Sequence, residues 1–345
     1  MIYFSEQGYT FLNNILSEKK YSNIFVLTDN HTNEFCSGIF LAELATEIEI
    51  EVIEIEAGEE QKNIATCTEI WNILIELGAD RKSILIGLGG GVITDITGFV
   101  ASVFKRGIDF VNVPTSLLGM VDAAIGGKNG VDFGNLKNQI GTITLPEMVL
   151  IDSRFLDTLP GEQIRSGYAE MLKHGLIFDR EYWEKLSDIK KIDFADLEEL
   201  IMQSVAIKSH ITSQDLTENG IRKTLNFGHT LGHAIESYFL ENYEKPTMLH
   251  GDAVAVGIIL ESYISFKQNL LPQSDYLHIK SVLENIYPIP EFSETDVEKI
   301  FELLIFDKKN SHGKINFVLL KTIGQAIIDQ TVSKQTIVKA FSHLS

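Results

Sequence analysis

Short, nearly continuous apolar runs recur along the first 150 residues, at 23–28, 49–55, 83–88, 110–113 and 148–151, and each predicts a β-strand. Between them, residues 64–77 carry apolar positions at helical spacing and stop at Gly78, and a second helix over 95–104 follows a glycine turn. Strand and helix in alternation predict a Rossmann-like, mostly parallel α/β domain covered on both faces, with ligands expected at the carboxyl ends of the strands. After Pro160 the pattern changes. Residues 162–177, 194–210, 230–238, 252–268 and 295–306 all show helical periodicity with few strand signals between them, so a C-terminal α-helical domain is expected. The predicted division is 1–160 and 161–345. Pro288 and Pro290 mark a loop before the last of these helices, and Ser293 with Asp296 resembles a capping box at its start.

Length agrees with two domains, since 345 residues exceed one ordinary core. A formal net charge of −19 argues against nucleic acid or an anionic membrane surface as partner, because such binding rests on phosphate neutralisation by Lys and Arg. Any anionic ligand must therefore be captured locally. Cys36 and Cys67 lack metal-ligand spacing and fit a reducing cytoplasm. No stretch reaches the roughly 18 consecutive apolar residues of a membrane span.

Four segments carry candidate chemistry. Gly87 to Asp95 follows a strand and opens a helix, where Gly89, Gly90 and Gly91 would let backbone amides approach a pyrophosphate; a tight turn needing positive φ is the competing reading. Gly126-Gly127-Lys128, with Lys137-Asn138 further on, combines a glycine turn, two cations and an amide suited to phosphate or carboxylate oxygens, against the reading of solvated surface lysines. His229 and His233, at i and i+4, share a helical face that can bind a metal, and His250 adds a third imidazole. Glu170 and Lys173 lie one turn apart; alone they read as a surface ion pair, but Glu170 can supply the oxygen ligand that a two-histidine site lacks.

In this order the segments resemble the 3-dehydroquinate synthase family of sugar-phosphate cyclases over most of the chain. The resemblance rests on the glycine run with Asp95, Val113 to Leu118, Asp122 through Lys128, Glu170 to Lys173, Arg222 to His233, and Asp307-Lys308-Lys309. It implies conversion of 3-deoxy-D-arabino-heptulosonate 7-phosphate to 3-dehydroquinate and phosphate, with NAD⁺ recycled and Zn²⁺ or Co²⁺ bound in an interdomain cleft. By matching positions, Glu170, His229 and His250 are the implied metal ligands. His233, Lys173, Arg222 and Asn226 are implied at the reacting substrate, with Glu218 as proton acceptor. Asp122, Lys128, Asn138, Lys208 and either Lys308 or Lys309 are implied substrate contacts, and Arg106 one lent by a neighbouring subunit, which implies a homodimer. The implied cofactor set is Asp29, Glu59, Lys62, Gly90, Gly91, Val92, Asp95, Thr115, Ser116, Lys137 and the turn of Phe155, Leu156, Asp157 and Thr158.

The sequence departs from the family pattern at Ser116 for a commoner threonine, Leu136 for a glycine, Asp252 for a glutamate, and in extra residues at about 242–247. Leu136 bears on the geometry of the loop carrying Lys137 and Asn138. Competing readings are a cyclase whose substrate lacks a carboxylate, which would have little use for Arg222, a metal-dependent NAD polyol dehydrogenase, and a catalytically dead nucleotide or sugar-phosphate sensor.

Overall fold

The apolar runs of the first half become a six-stranded parallel sheet in the computed structural model, which describes all residues except 135, 193, 243–244, 310–314 and 345, and only the backbone of 191, 194–195 and 306–309. The chain divides into two units, Met1–Ile164 and Arg165–Ser345. The first runs β1 (Ile2–Phe4), α1 (Ser5–Lys19), β2 (Ile24–Asp29), α2 (Asn30–Ala42), β3 (Ile50–Ile55), α3 (Ile64–Glu76), β4 (Ile84–Gly89), α4 (Gly91–Val103) and β5 (Asp109–Pro114). An antiparallel hairpin, β6 (Lys128–Phe133) and β7 (Leu136–Ile143), precedes the last strand, β8 (Met148–Ile151). Sheet order is β1-β8-β5-β4-β2-β3, with every neighbouring pair parallel.

Strands β2 and β4 read as continuous apolar runs because both of their faces are covered: Phe25, Val26, Leu27, Ile84, Leu85 and Ile86 are wholly buried. Edge strand β3 instead exposes Glu51's neighbour Val52 and Glu54, and its glutamates discourage pairing with another chain. Helices α3 and α4 bury Ile70, Leu74, Ile93, Ile96 and Val100 against Phe25, Leu27 and Leu85. Chain order reverses between β2 and β4, so the ends of these strands form the switch point where such sheets bind ligands.

The second unit carries α5 (Gly161–Phe178, whose first turn precedes the division), α6 (Arg180–Leu186), α7 (Phe194–Gln214), α8 (His229–Glu241), α9 (His250–Lys267), α10 (Gln273–Ile286) and α11 (Glu294–Lys309). An antiparallel hairpin, β9 (Phe317–Thr322) and β10 (Gln325–Gln330), and α12 (Lys334–Phe341) follow. That hairpin is a small addition to the expected α-helical domain: Phe317 to Leu320 are buried, and Leu320 N–H donates to Ser265 Oγ at 3.0 Å. Ser293 and Asp296 do form the capping box of α11, exchanging bonds of 2.9 and 3.2 Å.

Glycines let α5, α8 and α9 approach at backbone contact. A Cβ on Gly257 of α9 would lie 1.9 Å from Gly228 O, and one on Gly251 would lie 2.1 Å from Ser166 O of α5. These approaches bring the start of α8, the start of α9 and the middle of α5 together.

Candidate active site

At the end of β4, Gly90 caps α4, whose N–H groups open beside the ends of β4 and β5. None of Gly87, Gly89, Gly90 or Gly91 has positive φ, so the tight-turn reading of this run is not the reason for its glycines. Close packing is: a Cβ on Gly89 would lie 2.5 Å from the Ile93 side chain, and one on Gly87 would lie 2.3 Å from Thr97 Oγ1. Thr115 N–H donates to Gly89 O at 3.0 Å, and Ser116 Oγ accepts from Gly119 N–H at 3.1 Å, so both implied cofactor residues border the glycine run. Val92 lies in the first turn of α4. Across the switch point, Asp29 caps α2 through the Thr32 N–H at 2.8 Å.

Lys62 is buried and joins several of the named positions. Its Nζ lies 2.6 Å from Asp95 Oδ2 and donates to Asn138 Oδ1 at 2.7 Å, while Lys137 Nζ lies 3.6 Å from Glu59 Oε1. Burial works against the Lys62 ammonium, but Asp95, Glu59 and Asp132 outweigh it and hold the lysine charged. Leu136 pairs with Phe133 at the head of the hairpin, and Asn138 takes a left-handed φ of 54° while Asp132 Oδ1 accepts its N–H at 2.7 Å. Asp122 sits in a single π-helical turn, Gly119–Ala123, an insertion common at functional sites, and Lys128 opens β6 on the surface. Arg106 is exposed at φ 71°, directly after Lys105 at φ 50°. Of the turn Phe155 to Thr158, Phe155 and Leu156 are core residues and Asp157 and Thr158 are exposed.

In the second unit, Asp215 organises the loop ahead of α8. Its carboxylate accepts from the N–H groups of Asn219, Gly220 and Arg222 at 3.0, 2.7 and 3.1 Å. This folds Glu218 into a left-handed φ of 60° and directs its Oε1 to the Asn226 amide, 2.5 Å away. Arg222 is buried and donates to Leu216 O at 2.7 Å; Lys208 of α7 is also buried. The side chains of Lys308 and Lys309 lie outside the described residues.

Three helices converge on Glu170. Its wholly buried carboxylate pairs with Lys173, and Oε1 lies 3.2 Å from His229 Nε2 and 3.5 Å from His250 Nε2. Among the described residues, neither carboxylate oxygen meets a donor in hydrogen-bond geometry. Four-coordinate zinc at about 2.0–2.2 Å sets its ligand atoms about 3.3 Å apart, and the two separations from Glu170 Oε1 match that spacing with metal-ligating chemistry at each end. His229 Nδ1 lies 3.1 Å from Phe227 O and His250 Nδ1 lies 3.2 Å from Glu236 Oε2, so Nε2 is the nitrogen that each ring turns to Glu170. Burial alone would raise the Glu170 carboxyl, but Lys173, His229 and His250 hold it well below the usual range. Burial likewise opposes a charged His250, yet Glu170 and Glu236 push it up to about 10. His233 is exposed on the same face of α8, and the three imidazoles have nitrogens within 4.8 Å of one another.

Residues 52–166 match the family profile of the 3-dehydroquinate synthase N-terminal domain, and residues 167–310 match that of the C-terminal domain. The chain belongs to the 3-dehydroquinate synthase family. A 3-dehydroquinate synthase from Parabacteroides distasonis is 43% identical over 331 residues, which cover 95% of this chain and 93% of that protein. Among solved structures, ValA, a 2-epi-5-epi-valiolone synthase from Streptomyces hygroscopicus with NAD⁺ and Zn²⁺ bound, aligns at a TM-score of 0.86 and 26% identity, covering 100% of this chain and 96% of that one. A 2-deoxy-scyllo-inosose synthase complexed with carbaglucose-6-phosphate, NAD⁺ and Co²⁺ aligns at 0.81 and 25%, covering 99% and 95%. As a member of the 3-dehydroquinate synthase family the chain is an enzyme.

Sequence reasoning had not singled out Asp132, Asp215, Glu236 or Glu261. Glu261 is buried in α9 and accepts the N–H groups of Gly228 and Leu231 at 2.7 and 3.1 Å, capping α8 from a neighbouring helix. For Glu236 and Glu261 the signal is a carboxylate at a position the helical pattern assigns to the interior, whereas Asp132 and Asp215 lie outside any such pattern.

Proposed function

We propose that the chain converts 3-deoxy-D-arabino-heptulosonate 7-phosphate to 3-dehydroquinate and phosphate, a step of aromatic biosynthesis, and that it works in the cytoplasm as a homodimer. The observation that carries this is the convergence of Glu170, His229 and His250 in a chain of this family. Glu170, His229 and His250 would hold Zn²⁺ or Co²⁺, which would supply Lewis acidity toward substrate hydroxyls, and the N-terminus of α4 would hold NAD⁺, which would supply reversible hydride transfer.

The chain's own residues bind and orient the substrate. Arg222 offers a guanidinium fork to the carboxylate, with its main chain fixed by Asp215. Lys173 and Lys208 present buried ammonium groups to anionic oxygens, and Asp122, Lys128 and Asn138 hold the remaining polar groups. Glu218, held against Asn226, accepts the hydroxyl proton released when the carbinol carbon is oxidised, and His233 exchanges a proton near the phosphate. Arg106 of the partner subunit contributes a further phosphate contact, for which its exposed position is suited.

Pure protein given the heptulosonate phosphate, NAD⁺ and Zn²⁺ is expected to release phosphate with no net NADH. Stoichiometric NADH would indicate a dehydrogenase instead. Turnover of a sugar phosphate without the carboxylate, at equal kcat/KM, would exclude the assigned role of Arg222.

A further inference from the structure

We infer that Glu236 is a positioning residue for the metal centre: its carboxylate fixes the tautomer and ring orientation of His250, so that Nε2 faces Glu170 and His229. The inference rests on the reading of Glu170, His229 and His250 as metal ligands.

His229, His233 and Glu236 stand at i, i+4 and i+7 of α8, a stripe along one helical face. His250, the first residue of α9, lies across this stripe with one carboxylate at each ring nitrogen: Glu236 Oε2 is 3.2 Å from Nδ1 and Glu170 Oε1 is 3.5 Å from Nε2. Where a metal takes the place of the Nε2 proton, a proton kept on Nδ1 satisfies Glu236; the opposite tautomer would set a lone pair against that carboxylate. His229 uses the same device with a weaker, neutral acceptor, the Phe227 carbonyl.

The difference follows from placement. His229 is 11% exposed, whereas His250 is 25% exposed at a helix end, where the ring has fewer neighbours to hold it. Glu236, by contrast, is 4% exposed in the interior of α8 between the buried Ile235 and Phe239 turns. A carboxylate there carries a desolvation cost that an apolar residue would avoid, and its pairing with the imidazole offsets that cost. Acceptors placed on the far nitrogen of ligating histidines raise ligand basicity, and their loss weakens metal binding about 10–100-fold.

The test uses full-length protein stripped of metal, with zinc affinity measured by competition against a chromophoric chelator. Glu236→Gln and Glu236→Met are expected to weaken zinc about 10–100-fold, to shift the visible absorption of the Co²⁺-loaded protein, and to leave NAD⁺ affinity unchanged. Two variants are used so that a folding defect in one leaves the other informative. Zinc affinity within threefold of wild type, or an unaltered Co²⁺ spectrum, would overturn the inference; a purely structural glutamate would produce that unaltered spectrum. If His229→Ala binds zinc as wild type does, the metal-ligand reading itself fails, whereas zinc loss in His229→Ala with intact binding in the Glu236 variants rejects the role of Glu236 alone.

Discussion

Substituting Gly251 by alanine tests whether the contact between α5 and α9 sets the spacing of the candidate metal ligands. An ideal Cβ at this position would lie 2.1 Å from Ser166 O, 2.4 Å from its Cα and 2.6 Å from its carbonyl carbon. All three are backbone atoms, so no rotamer change relieves the overlap. Ordinary carbon contacts begin at about 3.5 Å, and the helices must part locally by about 1 Å. Overpacking of this kind costs about 1–3 kcal/mol. The same movement stretches the buried bond from Gly251 N–H to Ser166 Oγ, now 3.0 Å, at a cost of about 1 kcal/mol. Alanine returns at most about 1 kcal/mol in helix propensity. The net loss is therefore about 1–3 kcal/mol, or roughly 2–12 °C in Tm for a unit of this size. Circular dichroism of the metal-free variant measures it. Because Glu170 and His250 sit on the two parted helices, zinc affinity should fall as well. A Tm equal to or above wild type would refute the packing argument.

His229→Ala is expected to lose zinc and nearly all turnover, whereas His233→Ala should retain zinc, measured by elemental analysis, and lose turnover; retention of metal in both would reject the ligand assignment. Asp252→Asn leaves an amide facing the Arg165 fork, whose Nε and Nη2 now reach Oδ1 and Oδ2, each at 2.9 Å. A destabilisation of about 1–3 kcal/mol in urea is expected, and an unchanged midpoint would show that this pair contributes nothing. At Asp296, burial would raise the carboxyl, but bonds from Tyr238, Lys245 and Ser293 hold it below the usual carboxylate range. Its contribution to stability is thus present above about pH 4 and is lost as pH falls through the lower folded value, so Asp296→Asn should flatten the decline of Tm on acidification. An equally steep decline in the variant would contradict this.

The parallel sheet was legible because strands covered on both faces must be apolar throughout, and β2, β4, β5 and β8 lie close to the runs that predict them. Hairpin β6–β7 was not, since its strands carry Gly130 and Gly141 where the backbones approach; a Cβ on Gly141 would lie 2.3 Å from Asn129 O, and glycine leaves no alternation to read. At the candidate site, spacing alone paired His229 with His233. The partnership of His229 with His250 across Glu170 depends on three helices far apart in sequence, and only the family resemblance implied it. Departure of Asp252 from the family pattern is accommodated locally, since the shorter carboxylate still meets Arg165 with both oxygens.

The acidity of the chain, which argues against polyanionic partners, also shows where its cations matter. With a formal charge of −19, lysine or arginine has ample reason to stay on the surface, near excess carboxylates and in water. Among the described residues, the buried cations are Lys62, Lys173, Lys208 and Arg222, exposed by 5, 1, 6 and 3%. All four stand among the positions implied to bind cofactor or substrate. Burying an ammonium or guanidinium costs several kcal/mol unless charge and hydrogen bonds offset it. Asp95 does so for Lys62, Glu170 for Lys173 and the Leu216 carbonyl for Arg222. Such groups are expensive as structural fasteners, because apolar residues of the same volume would serve the core as well. They are well suited to anions, because in a low dielectric each cation acts on a bound phosphate or carboxylate far more strongly than the distant surface charge opposes it.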